Sequence, residues 1–387
     1  MLDLLAHPVV DSHCHAFLPE KETDSFEQYL TLAAHPIPQE DMVNTFIYRQ
    51  VVRELSRVLD CKGTHEEIVK ERQERYEQDP VGYIKLLFED ANIEMLLVDT
   101  GYPSKEESGY SIDLKDFSKM VPSEVREIFR IDNVVYNLVK NRLSFDVAVE
   151  QFHEEVKKAV KKGAVGLKST AAYDTGLEIQ RQVEDDVRKA YTKCIAEAKS
   201  GKSVLNIFTS RSHHVKTSND YFVFLGVEDS VELGVPFQMH VGMGDAPIID
   251  LRLANPILLH DLINDESAKN AKIVLTHGGY PYTEEAGFLV NSYPNVFLDL
   301  SETIPFISVG IKEKLLNLFE MAPTTKLMYG SDGYNIPELH WISAIQTRKA
   351  LSSALNELVE SKEIDDEWAY EIAKQFLSEN AKRIYRL

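Results

Sequence analysis

Two histidines one residue apart, in Asp11-Ser12-His13-Cys14-His15, follow the apolar pair Val9-Val10. A strand sends residues two apart to the same side, so His13 and His15 can chelate one cation from a rigid strand end. A lone pair of this kind is weak evidence; its weight comes from four later strand-like runs that also end in a potential ligand. Lys168 closes Ala164-Val165-Gly166-Leu167-Lys168, His240 closes Gln238-Met239-His240, His277 closes Leu275-Thr276-His277, and Asp332 lies in Tyr329-Gly330-Ser331-Asp332-Gly333. An aspartate among imidazoles can bind a metal and accept a proton from water whose pKa the cation lowers toward about 7, which suits hydrolysis. Nitrogen and carboxylate donors favour zinc, with manganese or iron as alternatives. A buried Lys168 must be paired or neutralised. It is either carboxylated by carbon dioxide into an anionic ligand or a plain lysine for a substrate carboxylate. The chain contains no Walker-type loop, nucleophile elbow or HExxH motif.

Eight runs rich in valine, isoleucine and leucine are predicted to be strands: 9–13, 93–99, 128–134, 164–168, 235–240, 272–277, 296–300 and 326–330. Most are continuously apolar, as parallel strands covered on both faces require. Helical periodicity fills the intervals at 145–162, 183–200 and 256–263. The alternation predicts a (β/α)8 TIM-like barrel in one domain over 1–387, with a doubly wound open sheet as the competing arrangement. A helical insertion at about 16–92, including 40–59 and 65–78, is expected over the barrel mouth as a lid or substrate wall. The stretch 201–227, with Ser210-Arg211-Ser212-His213-His214, reads as a surface excursion. The terminal Asn380-Ala381-Lys382-Arg383-Ile384-Tyr385 is expected to pack on the barrel exterior.

With 44% hydrophobic residues in 387, the chain can bury a large core. A formal charge of −20 argues against nucleic-acid and anionic-membrane surfaces. Three cysteines cannot build a disulfide framework, and Met1-Leu2-Asp3-Leu4 lacks the basic start of a signal peptide. A soluble cytoplasmic protein is expected.

The assembled pattern resembles the amidohydrolase superfamily, in particular its amidohydrolase-2 branch and the N-terminal domain of FluG-type proteins. The resemblance is carried by Gly166-Leu167-Lys168-Ser169, Phe237-Gln238-Met239-His240-Val241-Gly242, His277-Gly278-Gly279-Tyr280-Pro281-Tyr282, Glu285-Ala286-Gly287, Asn295-Val296-Phe297-Leu298-Asp299 and Ser331-Asp332-Gly333. It implies one of two metal arrangements. One cation would be held by His13, His15, His240 and Asp332, leaving His277 to bond water or substrate. Alternatively two cations would be held by His13, His15 and Asp332 and by His240 and His277, bridged by carboxylated Lys168. Asp332 would transfer the proton in both.

Arg252, Tyr280 and Arg130 are candidates to meet the substrate; an exterior salt bridge, loop packing and an ion pair at the barrel wall are their respective structural alternatives. The leading expectation is hydrolysis of an amide or related C–N bond in a small polar metabolite, with a γ-glutamyl or other amino-acid-derived amide implied by the FluG resemblance. Decarboxylation or isomerisation, which the superfamily also performs, is the enzymatic alternative. A non-catalytic scaffold for a glutamine-synthetase-like partner, here a separate polypeptide, is the other. Homo-oligomerisation is expected for a barrel of this size.

Overall fold

The computed structural model describes residues 2–18, 25–105 and 108–387. Eight parallel strands lie in sequence order in one sheet: β1 (Val9–Cys14), β2 (Ile93–Asp99), β3 (Glu124–Arg130), β4 (Ala164–Ser169), β5 (Phe237–His240), β6 (Ile273–Thr276), β7 (Val296–Asp299) and β8 (Leu327–Met328). Helices connect them, which is the predicted TIM-like barrel. Backbone bonds between β1 and the segment after β8 join the two edges: Ser12 N donates to Tyr329 O at 3.1 Å, Asp332 N to His13 O at 2.8 Å and His15 N to Gly333 O at 2.8 Å. The seam of the barrel therefore runs through three of the predicted ligands.

The predicted strand at 128–134 is displaced in the structure. β3 spans Glu124–Arg130, and Ile131 opens the helix Ile131–Lys140. Ile131, Val134, Val135, Leu138 and Val139 repeat at helical spacing and are all buried, so the apolar run was a helix face. The stretch read as an excursion is also part of the barrel wall. The helix His213–Leu233 buries Val215, Phe222, Val223, Phe224 and Val227 and is capped by left-handed Gly234. Its apolar residues spread around the helix, which removed the amphipathic signal.

The C-terminal helix Asn380–Tyr385 does not lie on the exterior. Ala381, Ile384 and Tyr385 pack with Val10, Met95, Leu97, Ile128, Val274, Phe297 and Met328. Lys272, just before β6, donates to Ile384 O at 2.9 Å, which places this plug at the N-terminal ends of the strands. The metal-ligand candidates occupy the other end.

In the insertion, helices span Gln39–Val43, Phe46–Val58, His65–Gln78 and Pro80–Asp90; residues 19–24 lie outside the described residues. Thr64 and Glu67 form a capping box that starts His65–Gln78. These helices pack on the outer helix Pro337–Glu360, with Arg72 and Tyr83 bonded to Glu338 and Gln346 bonded to Gln50. Among the described residues, the strip around Leu32–Ala34 bonds the loop after β5, through Ala34 N to Ala246 O at 2.8 Å and Ala246 N to Leu32 O at 2.9 Å. The described helices of the insertion thus buttress the outer helix Pro337–Glu360. Among the described residues no helix is long and apolar enough to cross a membrane.

Candidate metal centre

His13 and His15 converge on one oxygen. Their Nε2 atoms lie 3.2 and 3.3 Å from Asp332 Oδ1, all three residues being buried. The other ring nitrogens settle the tautomers. His13 Nδ1 is 2.7 Å from Gln238 Oε1, while Gln238 Nε2 donates to Ser12 O and Tyr385 Oη at 2.8 and 2.7 Å. His15 Nδ1 is 3.2 Å from Asp99 O. A carbonyl oxygen only accepts, so each Nδ1 carries the hydrogen and each Nε2 presents a lone pair. Two lone pairs therefore face a buried carboxylate oxygen that has no hydrogen-bond partner. These three groups fit a divalent cation, which turns a repulsive contact into a ligand set.

His240 and His277 sit beside them with ring centroids 4.2 Å apart, and the His277 ring is 5.2 Å from that of His13. His277 Nδ1 lies 4.0 Å from Asp332 Oδ2, so the aspartate stands between the two histidine pairs. Burial pushes both imidazoles well below their ordinary pKa, and the neighbouring Lys168 charge adds to the effect on each. They are neutral nitrogen donors.

The loops that deliver these groups are tightly built. His277 and Asp332 have φ of 69° and 52°, a left-handed conformation unusual for either residue. Asp11 holds the Asp332 turn by accepting from Ser331 N at 2.8 Å and from the Ser331 hydroxyl. Gly242, with φ 77°, lets the β5 loop meet the β6 loop: a Cβ there would stand 2.5 Å from both Gly279 C and Tyr280 O. Gly242→Ala is accordingly expected to lower unfolding stability by about 2 kcal/mol or more, read from the urea midpoint.

Lys168 is buried and donates to Thr276 Oγ1 at 2.7 Å; burial lowers its pKa to about 8. An unfolded lysine near 10.4 retains its proton where the folded one has lost it, so stability rises with pH between about 8 and 10.4. In chelator-treated protein, the stability of wild type relative to Lys168→Met should increase by about 3 kcal/mol across that window. A flat difference would show that the amine is not titrating as a plain lysine.

The substrate candidates fare differently. Arg130 forms an ion pair with Asp99, Nη2 to Oδ2 at 2.7 Å and Nε to Oδ2 at 3.0 Å, the structural alternative named for it. Arg252 is 86% exposed and bonds Asp250, the exterior salt bridge named as its alternative. Tyr280 is half-buried, and its backbone carbonyl packs against Gly242.

Sequence reasoning missed Glu302, buried after β7 with φ 57°, whose Oε2 is 3.6 Å from His277 Nδ1. It also missed Tyr102 and Tyr173, whose rings stand edge-on at 5.4 Å from His15 and 4.7 Å from His240. A carboxylate just beyond the seventh strand was visible in the sequence, but nothing there announced that its loop turns it toward His277. The buried Cys14 thiol, pushed up by burial and by Asp11, donates to Leu97 O at 3.6 Å.

Comparison with known proteins agrees with this architecture. The chain is 26% identical to protein fluG of Emericella nidulans over 414 aligned positions, covering 98% of this chain and 46% of that protein. It thus spans about half the length of the curated relative it matches. A Lactobacillus casei structure provisionally named a metal-dependent hydrolase superimposes with a TM-score of 0.83 at 24% identity, covering 100% of this chain and 98% of that one. Uronate isomerase from Thermotoga maritima has the same fold, with a TM-score of 0.70 at 15% identity over 99% of this chain and 95% of its own. The family model described as Amidohydrolase matches residues 143–387, which take in β4 to β8 with Lys168, His240, His277 and Asp332. By fold and by this match over more than half its length, the chain belongs to the amidohydrolase family.

Proposed function

We propose that the protein hydrolyses an amide or related C–N bond of a small polar metabolite. The observation that carries this reading is the pair of imidazole lone pairs, from His13 and His15, aimed at Asp332 Oδ1 at 3.2 and 3.3 Å. A divalent cation held by these three, zinc by donor preference, supplies Lewis acidity toward a carbonyl oxygen and lowers the pKa of water. Asp332 presents its second oxygen toward His277, where it can take a proton from attacking water and return it to the leaving nitrogen. His277 lies where a neutral ring can hydrogen-bond the substrate carbonyl. Tyr102 and Tyr173 flank the centre and give a small substrate flat walls. The buried free thiols Cys14 and Cys194 support a reducing cytoplasmic compartment.

The test is turnover of a panel of amino-acid-derived and other small amides, γ-glutamyl amides included, in ¹⁸O-labelled water. Hydrolysis places one solvent oxygen in the acid product. A product of unchanged mass would identify an isomerase, and released carbon dioxide a decarboxylase; either overturns the hydrolase reading. A protein that takes up no metal and turns over nothing would be the scaffold instead.

A further inference from the structure

We propose that Asp11, Cys14 and His340 form a buried structural site for a thiolate-binding divalent cation, zinc by donor type, between β1 and the helix Pro337–Glu360. The site shares no ligand with the centre at the strand ends and does not depend on that centre being filled.

Alternation along a strand would send Asp11 and Cys14 to opposite sides. The pairing of β1 with β2 slips between them: Asp11 is opposite Leu96 and Cys14 opposite Val98, three steps on β1 against two on β2. Such a bulge returns both side chains to one side. His340 comes from the first turn of the helix Pro337–Glu360, with Nδ1 3.8 Å from Asp11 Oδ2. One ligand atom from each of the three residues lies within 4.8 Å of the others, and all three are buried. Ligands about 2.0–2.3 Å from a tetrahedral cation stand about 3.3–3.8 Å apart, so only a small contraction is needed.

The His340 ring is a polar group without an outlet. It lies beside the Phe17 and Phe88 rings, with centroids 5.4 and 5.5 Å away, and among the described residues neither of its nitrogens has a hydrogen-bond partner. A neutral imidazole carries one N–H and one lone pair, and burying both unmet is costly unless a cation takes the lone pair. The ring has no room to turn toward Gly333, where a Cβ would stand 2.4 Å from its Cγ and Cδ2. Cys14 Sγ reaches Leu97 O at 3.6 Å, a weak contact that a sulfur exchanging its proton for a metal gives up cheaply. Asp11 accepts from Ser331 N and the Ser331 hydroxyl, and a carboxylate has lone pairs to spare for an ion. Thiolate, imidazole and carboxylate together are a zinc donor set, and complete burial suits a structural ion. The ion ties β1, which delivers His13 and His15, to the helix that follows the Asp332 turn.

The experiment is expression of the full chain in zinc-depleted medium supplemented with Co²⁺, so that a buried site fills as the chain folds. Cobalt bound by sulfur shows an intense near-ultraviolet thiolate-to-metal charge-transfer band, which imidazole and carboxylate ligands do not give. Wild type should show the band. Cys61→Ser combined with Cys194→Ala, which leaves Cys14 as the sole thiol, should keep it. Cys14→Ser should lose it, and His340→Gln should lose it together with about one equivalent of cobalt. His15→Asn should keep it, so failure of the centre at the strand ends reads out separately. No band in wild type would overturn the proposal. So would a band that survives in Cys14→Ser or His340→Gln, or one that vanishes from the folded double variant. If circular dichroism shows Cys14→Ser misfolded, the double variant decides the assignment alone.

Discussion

Asp332→Asn is expected to lower turnover by about 10³-fold or more while the protein remains folded. The carboxylate has three tasks that an amide performs poorly. It gives Oδ1 to the lone-pair-bearing Nε2 atoms of His13 and His15, it faces His277 through Oδ2, and it must accept a proton. An amide nitrogen could instead donate to one of those imidazoles, so the substituted side chain would be held in place without a cation. The fold has little reason to suffer, because the turn is secured by backbone bonds from Asp332 N to His13 O and by the Asp11 contacts to Ser331. The measurement is kcat on the best amide substrate alongside retained zinc and the thermal midpoint. Activity within tenfold of wild type would sink Asp332 as the proton carrier. A collapse of the thermal midpoint would make the residue structural. His13→Ala should follow the same pattern, with its loss arising from the ligand set alone.

Arg72→Ala is expected to cost about 3–5 kcal/mol of unfolding free energy. Arg72 and Glu338 are both fully buried, joined through Nε to Oε1 at 2.6 Å and Nη2 to Oε2 at 3.1 Å, and Tyr83 adds a bond to the same Oε1 at 2.7 Å. The Phe26 and Tyr76 rings lie 4.8 and 4.5 Å from the guanidinium carbon. Truncation removes the cation, the stacking and the packing, and leaves a carboxylate in an apolar enclosure. Replacing both partners, as in Arg72→Met with Glu338→Leu, should recover most of the loss, because the pair must offset its own desolvation. Urea unfolding of the two variants separates the cases. A loss under about 1 kcal/mol in Arg72→Ala would mean that water reaches Glu338. The pair also has a local consequence. Glu338 begins the helix Pro337–Glu360 a few residues after Asp332, so the insertion is anchored next to the turn that carries the proton acceptor. Weakened zinc affinity should accompany the lost stability.

The sequence by itself determined the barrel and most of the candidate ligands at its strand ends. Apolar runs and helical periods are set by neighbours along the chain, so 93–99 and 145–162 were legible residue for residue, and the ligands could be read as strand-end residues. Where a local period was ambiguous, the reading failed: 128–134 mixes a strand end with the buried face of the next helix, and 213–233 is apolar on too many sides to show a face. Tertiary structure alone decided which polar groups meet. Arg130 could have entered the barrel, but Asp99 on the adjacent strand captures it; Arg252 finds Asp250 in the solvent. Glu302 reaches His277 only because the β7 loop adopts a positive φ that no pattern of residue types announces. The final helix fills the barrel end because Ile384 and Tyr385 complete an apolar cluster to which six strands contribute buried side chains. Burial periodicity is a property of a segment, whereas ion pairs, tautomers and backbone strain are properties of several segments at once.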